Sequence, residues 1–223
     1  MDTYYLNLVI HDIDKKSETL LTRKVIYKLP NKLVGEYRRD LSESAINKIS
    51  DHLTAYLGLT KKIKVSFSGE IRDGWAGVYT SSGIYNKEIK INKKTYYNEI
   101  NVIAILIHEL VHLLIDEKQI ENKYFDKEVF TDILAIYLGF GHILYKGYYP
   151  IVTKVTRTVS TFTGDLYDVE KHKIGYIDTD SIVQTIAIVS KYKKISYYQL
   201  FYFLKILDFI KLLYFRLIVK RGV

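Results

Sequence analysis

The chain has 223 residues, of which 48% are hydrophobic and 26% are charged, a composition typical of a globular protein that can bury a core. It contains no cysteine, so disulfides and cysteine-ligated zinc are excluded, and any metal must be held by His, Asp or Glu. The net charge of +8 allows attraction to nucleic acid or to an anionic membrane, but the lysines are scattered and form no long basic run. The first residues lack the basic start of a signal peptide, so a cytoplasmic location is expected.

The first quarter of the chain is expected to contain two strands and a helix. Segments 4–10 and 20–28 are rich in β-forming residues and flank a polar stretch, which predicts a strand pair. Asp40 and Glu43 match a capping box ahead of apolar residues at helical spacing. Gly58 is a typical helix stop, so a helix is predicted between Asp40 and Gly58.

Three short strands and an apolar helix are expected next. Strand-like runs occupy Ile63–Ser68, 75–82 and 88–92, with glycine-containing breaks between them. The strongly apolar segment 98–115 then predicts a helix that is buried in the core.

The predicted helix 98–115 carries the pattern H-E-x-x-H at His108, Glu109 and His112. Residues four apart share one face of a helix, so both imidazoles can bind the same metal ion. A buried apolar helix is a costly place for these groups unless they are paired or coordinating. On a helix, this pattern is the signature of zinc peptidases, in which the glutamate acts as general base on a zinc-bound water.

The rest of the chain, from residue 127 onward, is predicted to be mainly helical. A second helix is predicted over 127–138, ending in a Gly-Phe-Gly breaker, and 153–162 is expected to be extended. Asp180 is a candidate cap for a helix through Val189, and a last helix is predicted over 197–219.

With no internal repeat and no linker, these elements predict one compact α+β domain. Its N-terminal strands and helix cover 1–97, the metal-site helices cover 98–144, and a helical C-terminal part covers 145–223.

A helix, a small sheet and then an H-E-x-x-H helix resemble the N-terminal half of the zincin fold. The resemblance implies a zincin-like α+β fold in which a small mixed or antiparallel sheet precedes the active-site helix. In that family the edge strand borders the cleft and holds extended substrate by backbone pairing. Gly77, Val78 and Tyr79 are the candidates for such a substrate-binding edge, and an ordinary strand is the alternative.

The third metal ligand separates two zincin classes. The metzincin continuation needs a glycine at position 115 and a histidine at position 118, where this chain has Ile115 and Lys118. The gluzincin arrangement uses a downstream E-x-x-x-D, which Glu128 and Asp132 match. By this resemblance Glu128 would bind Zn²⁺, and Asp132 would accept a hydrogen bond from a ligand histidine. Two alternatives stay open: Asp132 as the ligand with Glu128 as its helper, or two acids placed at a helix N-terminus for electrostatic reasons.

The resemblance implies a zinc-dependent metallopeptidase that hydrolyses a peptide or protein substrate, with Glu109 as the catalytic base. Such enzymes add a donor that stabilises the oxyanion. The candidates for this donor lie beyond the second helix and have no motif support: His172, Tyr176, Arg157 and Tyr148. The alternative functions are a non-catalytic or regulatory metal-binding and interaction protein, and association with nucleic acid.

The C-terminal segment 197–219 is apolar but contains charged residues. At ~3 kcal/mol per mid-membrane charge against ~0.5 kcal/mol gained per apolar residue, crossing a bilayer is no better than break-even. On a helical wheel the charges share one half with Phe209, Leu212 and Phe215. A buried domain helix is expected, and a partner-binding or membrane-surface helix is the alternative.

Overall fold

A computed structural model of the chain describes residues 1–16, 26–69, 76–82, 86–92, 97–148, 151–161, 164–172, 174–202 and 204–219. The described residues form helices and two small sheets, an architecture compatible with the expected α+β class. Their order along the chain is α1 (Thr3–Lys16), α2 (Asn31–Arg39), α3 (Glu43–Leu57), β1 (Ile63–Ser68), β2 (Gly77–Ser82), β3 (Asn86–Asn92), α4 (Glu99–Lys118), α5 (Lys127–Ala135), a π-helical turn (Ile136–Phe140), α6 (Gly141–Gly147), β4 (Ile151–Thr161), β5 (Gly164–His172), α7 (Thr179–Tyr192), α8 (Tyr197–Phe201) and α9 (Ile206–Val219).

The strand predicted at 4–10 is wrong, because this segment belongs to helix α1. Its buried side chains fall at the helical spacing i, i+3, i+4, i+7, namely Leu6, Val9, Ile10 and Ile13. Tertiary burial of that stripe outweighs the β propensity of Tyr and Val. Of the second predicted strand, 26–28 has no regular structure, and 20–25 lies outside the described residues.

Helix α3 ends at Gly58 as predicted, with φ of 65° at the cap, but its start differs. The N-cap is Ser42, whose Oγ accepts a hydrogen bond from the Ala45 N–H, so Asp40 is not the cap. The Glu43 carboxylate instead accepts from the Phe67 N–H and ties α3 to β1. The prediction missed the short helix α2, which precedes α3.

The first sheet is mixed and has the strand order β1-β3-β2. β1 and β3 run parallel, while β2 and β3 run antiparallel with Tyr79 opposite Ile89. Ile63–Ser68 is predicted with its observed bounds, and the other two strands overlap their predicted segments. Both α4 and α3 pack on this sheet, which places β2 beside the helix that carries the H-E-x-x-H pattern.

Helix α4 runs through the centre of the core and is longer than predicted, from Glu99 to Lys118. Asn98 caps it by accepting from the Ile100 and Asn101 N–H groups. Every residue from Asn101 to Ile115 is buried. Because other elements cover this helix on all sides, apolar side chains occur around its whole circumference.

The predicted end of the helix at the Gly-Phe-Gly breaker is confirmed: the chain kinks in a π-turn at Ile136–Phe140, and a separate helix, α6, begins at Gly141. Gly139 lies in this turn at φ 102°, a value that L side chains rarely adopt. By length and composition, Lys127–Gly147 is the one described helix that could cross a membrane. Since 78% of its most apolar window is buried, the core accounts for its apolar character.

The C-terminal part departs from the prediction at two points. The N-cap of α7 is Asp178, which accepts from the Ser181 N–H, whereas Asp180 lies two residues further on, in the first turn, and pairs with Lys211. The single helix expected over 197–219 is broken into α8 and α9. The break allows Leu200 to reach the core from α8 while Leu212 reaches it from α9. Of the segment 153–162, expected to be extended, residues 153–161 lie in β4, which forms an antiparallel hairpin with β5, and residue 162 lies outside the described residues.

Candidate metal centre

The two histidines of α4 are held in the core with their rings on one helix face. His108 is 5% exposed and His112 is 7% exposed, and their rings meet edge to face. Glu109, between them in sequence, is 6% exposed. Such burial of three ionisable groups on an otherwise apolar helix costs free energy unless they are paired or coordinate an ion.

Helix α5 brings the acidic residues of the second motif to these histidines. Asp126 caps α5 by accepting from the Glu128 and Val129 N–H groups, so the helix begins just before Glu128. Glu128 and Asp132 then fall on one face, four residues apart. The helix therefore has its own cap in Asp126, and the acids of E-x-x-x-D turn toward α4 instead of capping α5.

Three potential ligand atoms meet at nearly equal separations. His108 Nε2 and His112 Nε2 are 3.0 Å apart, and each is 3.0 Å from Glu128 Oε2. Tetrahedral zinc with bonds of ~2.0–2.1 Å holds its ligand atoms roughly 3.3 Å apart. The triangle is thus within a few tenths of an ångström of the spacing that one zinc ion requires.

The hydrogen-bond partners of the two Nδ1 atoms explain why the Nε2 atoms of both rings face Glu128. His108 Nδ1 lies 2.8 Å from Asp132 Oδ1, an oxygen that can only accept. His112 Nδ1 lies 3.1 Å from Thr131 Oγ1, whose own hydrogen is donated to the Lys127 carbonyl. Both Nδ1 atoms must therefore carry a proton, so the neutral rings direct their Nε2 lone pairs at the Glu128 carboxylate, and the protonated rings donate to it from Nε2. With neutral rings, three acceptors converge, an arrangement that fits a bound cation.

The pKa shifts show that the carboxylates of this site favour positive charge on the histidines. Burial alone would lower the pKa of His108, but hydrogen bonds to Asp132 and Glu128 outweigh it and raise this pKa to about 10. Hydrogen bonds from the two histidines hold the pKa of Glu128 well below its usual range. Burial raises the pKa of Glu109, against the lowering effect of both histidines.

Asp132 is fully buried and makes four hydrogen bonds, so its role as a partner of His108 has a clear geometric basis. Besides His108, its Oδ1 accepts from the Tyr148 hydroxyl at 2.7 Å. Its Oδ2 accepts from the backbone N–H groups of Tyr176 and Ile177 at 3.1 and 3.3 Å. With its oxygens used in this way, Asp132 is a poor alternative to Glu128 as the metal ligand.

The backbone bonds to Asp132 place Tyr176 over the site. Its ring stacks on His108, with centroids 5.3 Å apart, and is 51% exposed. Burial and the nearby carboxylates of Glu128, Glu109 and Asp132 raise the pKa of Tyr176 to about 12, so its hydroxyl remains a donor at neutral pH. Gly175 permits this turn: its φ is 82°, and a Cβ there would collide with the Tyr148 ring.

Strand β2 borders the site on the side of Glu109. The Tyr79 backbone N–H donates to the Glu109 carboxylate, so this N–H is not used in the β2–β3 ladder. A Cβ at Gly77 would lie 2.8 Å from Glu109 Oε1 and 2.7 Å from Ile105 Cγ2. The edge of β2 that pairs with no described strand therefore faces the side chain predicted to act as base, and the close approach needs glycine at position 77.

The structure brings some of the predicted oxyanion donors to this centre. Tyr148 and Tyr176 are there, but Tyr148 is fully enclosed and bonded to Asp132. His172 pairs with Ile151 and Arg157 with Tyr167 in the hairpin, and their side chains lie outside the described residues. Sequence reasoning missed Thr131, the partner of His112. Its position, three residues after Glu128, is one that a helical projection of α5 could have indicated.

Comparisons with known proteins were made at three levels. No protein-family model, curated protein or solved structure matches this chain. The assignment of function therefore depends on the site itself.

Proposed function

We propose that the chain is a zinc-dependent peptidase of the gluzincin type, with a zincin-like fold and with His108, His112 and Glu128 as the metal ligands. The observation that carries the proposal is the triangle of ligand atoms at 3.0 Å, formed by two helices with both Nδ1 protons directed away from it. Glu109, next to this triangle, supplies the base that a hydrolase requires.

When bound, a zinc ion supplies Lewis acidity that polarises a substrate carbonyl and acidifies a water molecule. Glu109 takes a proton from the attacking water and later gives it to the leaving amine nitrogen. Burial raises the pKa of Glu109, which is the direction expected of a carboxylate that both accepts and releases a proton.

Two further parts of the site suit a peptide substrate. Strand β2 lies at the edge of the sheet formed by the described strands, and an extended chain would add there as another strand beside Glu109, displacing this carboxylate from the Tyr79 N–H. Tyr176, half-exposed and still protonated at neutral pH, is the best-placed hydroxyl to donate to the developing oxyanion.

The position of Glu109 favours catalysis over a structural metal site. A structural ion needs ligands that close its coordination and no base. Among the described residues three ligand atoms converge here, and a buried carboxylate lies next to them at the cost of its own desolvation. This arrangement supports a hydrolase with one coordination position left for water or substrate.

The test is hydrolysis of a mixed peptide library by the zinc-loaded full chain and by Glu109→Gln. We expect cleavage by the wild type and a loss of about 10²–10⁴-fold in rate in the variant, with zinc content unchanged. Glu121→Gln, the same substitution at an exposed position, is the control and should keep full activity. Unchanged hydrolysis in Glu109→Gln, or zinc-loaded wild type that cleaves nothing, would contradict the proposal.

A further inference from the structure

Helix α9 is packed against the rest of the chain in an unexpected orientation. Its charged half faces inward: Asp208 is 9% exposed and accepts a hydrogen bond from Tyr145, and Leu212 on the same half is fully buried. Lys211, at the edge of that half, pairs with Asp180 of α7. The inward half thus combines hydrogen bonds with apolar contacts, and these fix which side of α9 remains outside.

The outward half of α9 is apolar. Its exposed residues are Ile206, Leu207, Ile210, Tyr214 and Leu217, with exposed fractions of 69, 74, 56, 62 and 62%. At 100° per residue they fall within an arc of roughly 100° that contains no charge. We call these five residues the outer face of α9. Lys211 lies about 40° beyond one edge of this face. Arg216 lies about 80° beyond the other edge, where its guanidinium donates to the Ile195 carbonyl and lies over the Tyr197 ring.

Aromatic side chains of α8 extend the exposed apolar surface. Tyr198, Phe201 and Tyr202 are 71, 47 and 64% exposed, and the Phe201 ring meets Phe209 of α9 edge to face. Water-exposed apolar surface of this extent marks an interaction site on a protein. Tyrosine, with an apolar ring and a polar tip, is a typical residue of the boundary between membrane and water.

We propose that the outer face of α9 docks on the surface of an anionic lipid bilayer. Charge complementarity identifies the occupant: the segment 205–221 holds Lys205, Lys211, Arg216, Lys220 and Arg221 against Asp208 alone, in a chain of net charge +8. Cations bordering an apolar helical stripe are the pattern of helices that lie in the headgroup region of a membrane.

The geometry of α9 excludes a transmembrane role and disfavours a second copy. Its 14 residues span about 21 Å, which is shorter than the ~30 Å hydrocarbon core of a bilayer. Pairing with a second copy would bring two basic segments together, at a cost in charge repulsion. A flat anionic surface meets the apolar arc and is attracted by the excess positive charge of the segment 205–221.

The test is flotation of the full chain with vesicles of phosphatidylcholine alone or with 30% phosphatidylserine. We expect binding to the anionic vesicles, at least tenfold weaker binding to the neutral ones, and release at high salt. Leu207→Glu and Ile210→Glu should each lower the affinity for anionic vesicles at least tenfold. The matched control is Leu41→Glu, which adds the same charge at a residue 46% exposed and should bind as the wild type does.

Three results would overturn the inference: no vesicle binding, equal loss of binding in Leu41→Glu, or a wild-type dimer in solution that Leu207→Glu converts to a monomer. Because position 207 is 74% exposed, the variant should keep the wild-type melting temperature, which is measured alongside. No step of this test uses the metal site, so its result is independent of the proposed peptidase activity.

Discussion

The α4–α5 pair and the α8–α9 pair depart in opposite ways from the usual rule that apolar side chains are buried and polar side chains are exposed. At the first pair, His108, Glu109, His112 and Asp132 are polar and buried, whereas at the second, large apolar residues such as Leu207 are exposed. Both departures are informative, because neither a buried polar group nor an exposed apolar side chain stabilises the fold by itself. The buried polar groups indicate chemistry inside the chain, and the exposed apolar groups indicate a contact outside it.

The two regions also differ in how completely their polar groups are paired. Around the metal centre, every proton of the histidine rings has an acceptor, and Asp132 accepts from four donors. On the outer face of α9 no such network exists among the described residues, and only the inward half is tied down by Asp208 and Lys211. A preorganised site suits catalysis, while a simple apolar arc suits a broad surface.

The strongest test of the metal-centre side, after removal of the base itself, is Asp132→Asn. The amide has one acceptor oxygen where the carboxylate has two, so its NH2 group must face either His108 Nδ1 or the backbone N–H groups of Tyr176 and Ile177, all of which need an acceptor. We expect zinc affinity to fall about 10–100-fold, measured by competition with a chelator. If affinity is unchanged, the hydrogen bond to His108 does not orient the ring as described.

A smaller effect is expected at the other histidine. Thr131→Val removes the oxygen that accepts from His112 Nδ1 while it preserves the shape of the side chain. Because a hydroxyl is a weaker acceptor than a carboxylate, zinc affinity should fall less than in Asp132→Asn, by about tenfold or less. A larger loss than in Asp132→Asn would reverse the assigned order of the two partners.

The approach of β2 to Glu109 can be tested by adding one methyl group. In Gly77→Ala the Cβ must displace Glu109 or Ile105, so we expect the turnover rate to fall by about tenfold with zinc content unchanged. Gly69→Ala is the matched control, because a Cβ there meets nothing within 4 Å. Equal rates for the two variants would show that β2 does not position the base.

The smallest effect concerns pH and the metal-free chain. The pKa of His108 rises from 6.5 to about 10 on folding, so its stabilising contribution is complete below about pH 6.5 and is lost as pH approaches 10. We therefore expect the free energy of unfolding, relative to that of His108→Gln, to decrease over this range. Bound zinc replaces the proton and should remove the difference in slope. A difference that persists with zinc would assign the titration to another group.

The sequence predicted the centre of the molecule better than its ends. The α4 and α5 motifs, the strand Ile63–Ser68 and the stop at Gly58 follow from local patterns, which act within one element. Segment 4–10 combined β-forming residues with helical spacing, and the choice between them depended on burial against distant elements. Likewise, no local signal marks the break between α8 and α9, since it serves the packing of Leu200 and Leu212.

The same limit applies to the site. The H-E-x-x-H pattern predicts His108, Glu109 and His112, whereas Glu128 and Asp132 are predicted only by the resemblance to the gluzincin motif. In both motifs the helix places residues four apart on one face. Tyr148 and the backbone of the Tyr176 turn reach Asp132 from distant positions in the chain, so their part in the network is visible only in three dimensions.

The central claim, that two helices hold one zinc ion, is tested most directly by the zinc content of the dialysed full chain and of single variants. We predict one zinc ion per wild-type chain and per His11→Ala, a change far from the pattern, and substoichiometric zinc in His112→Ala and Glu128→Ala. Wild type without stoichiometric zinc, or Glu128→Ala that retains a full complement, would contradict the account.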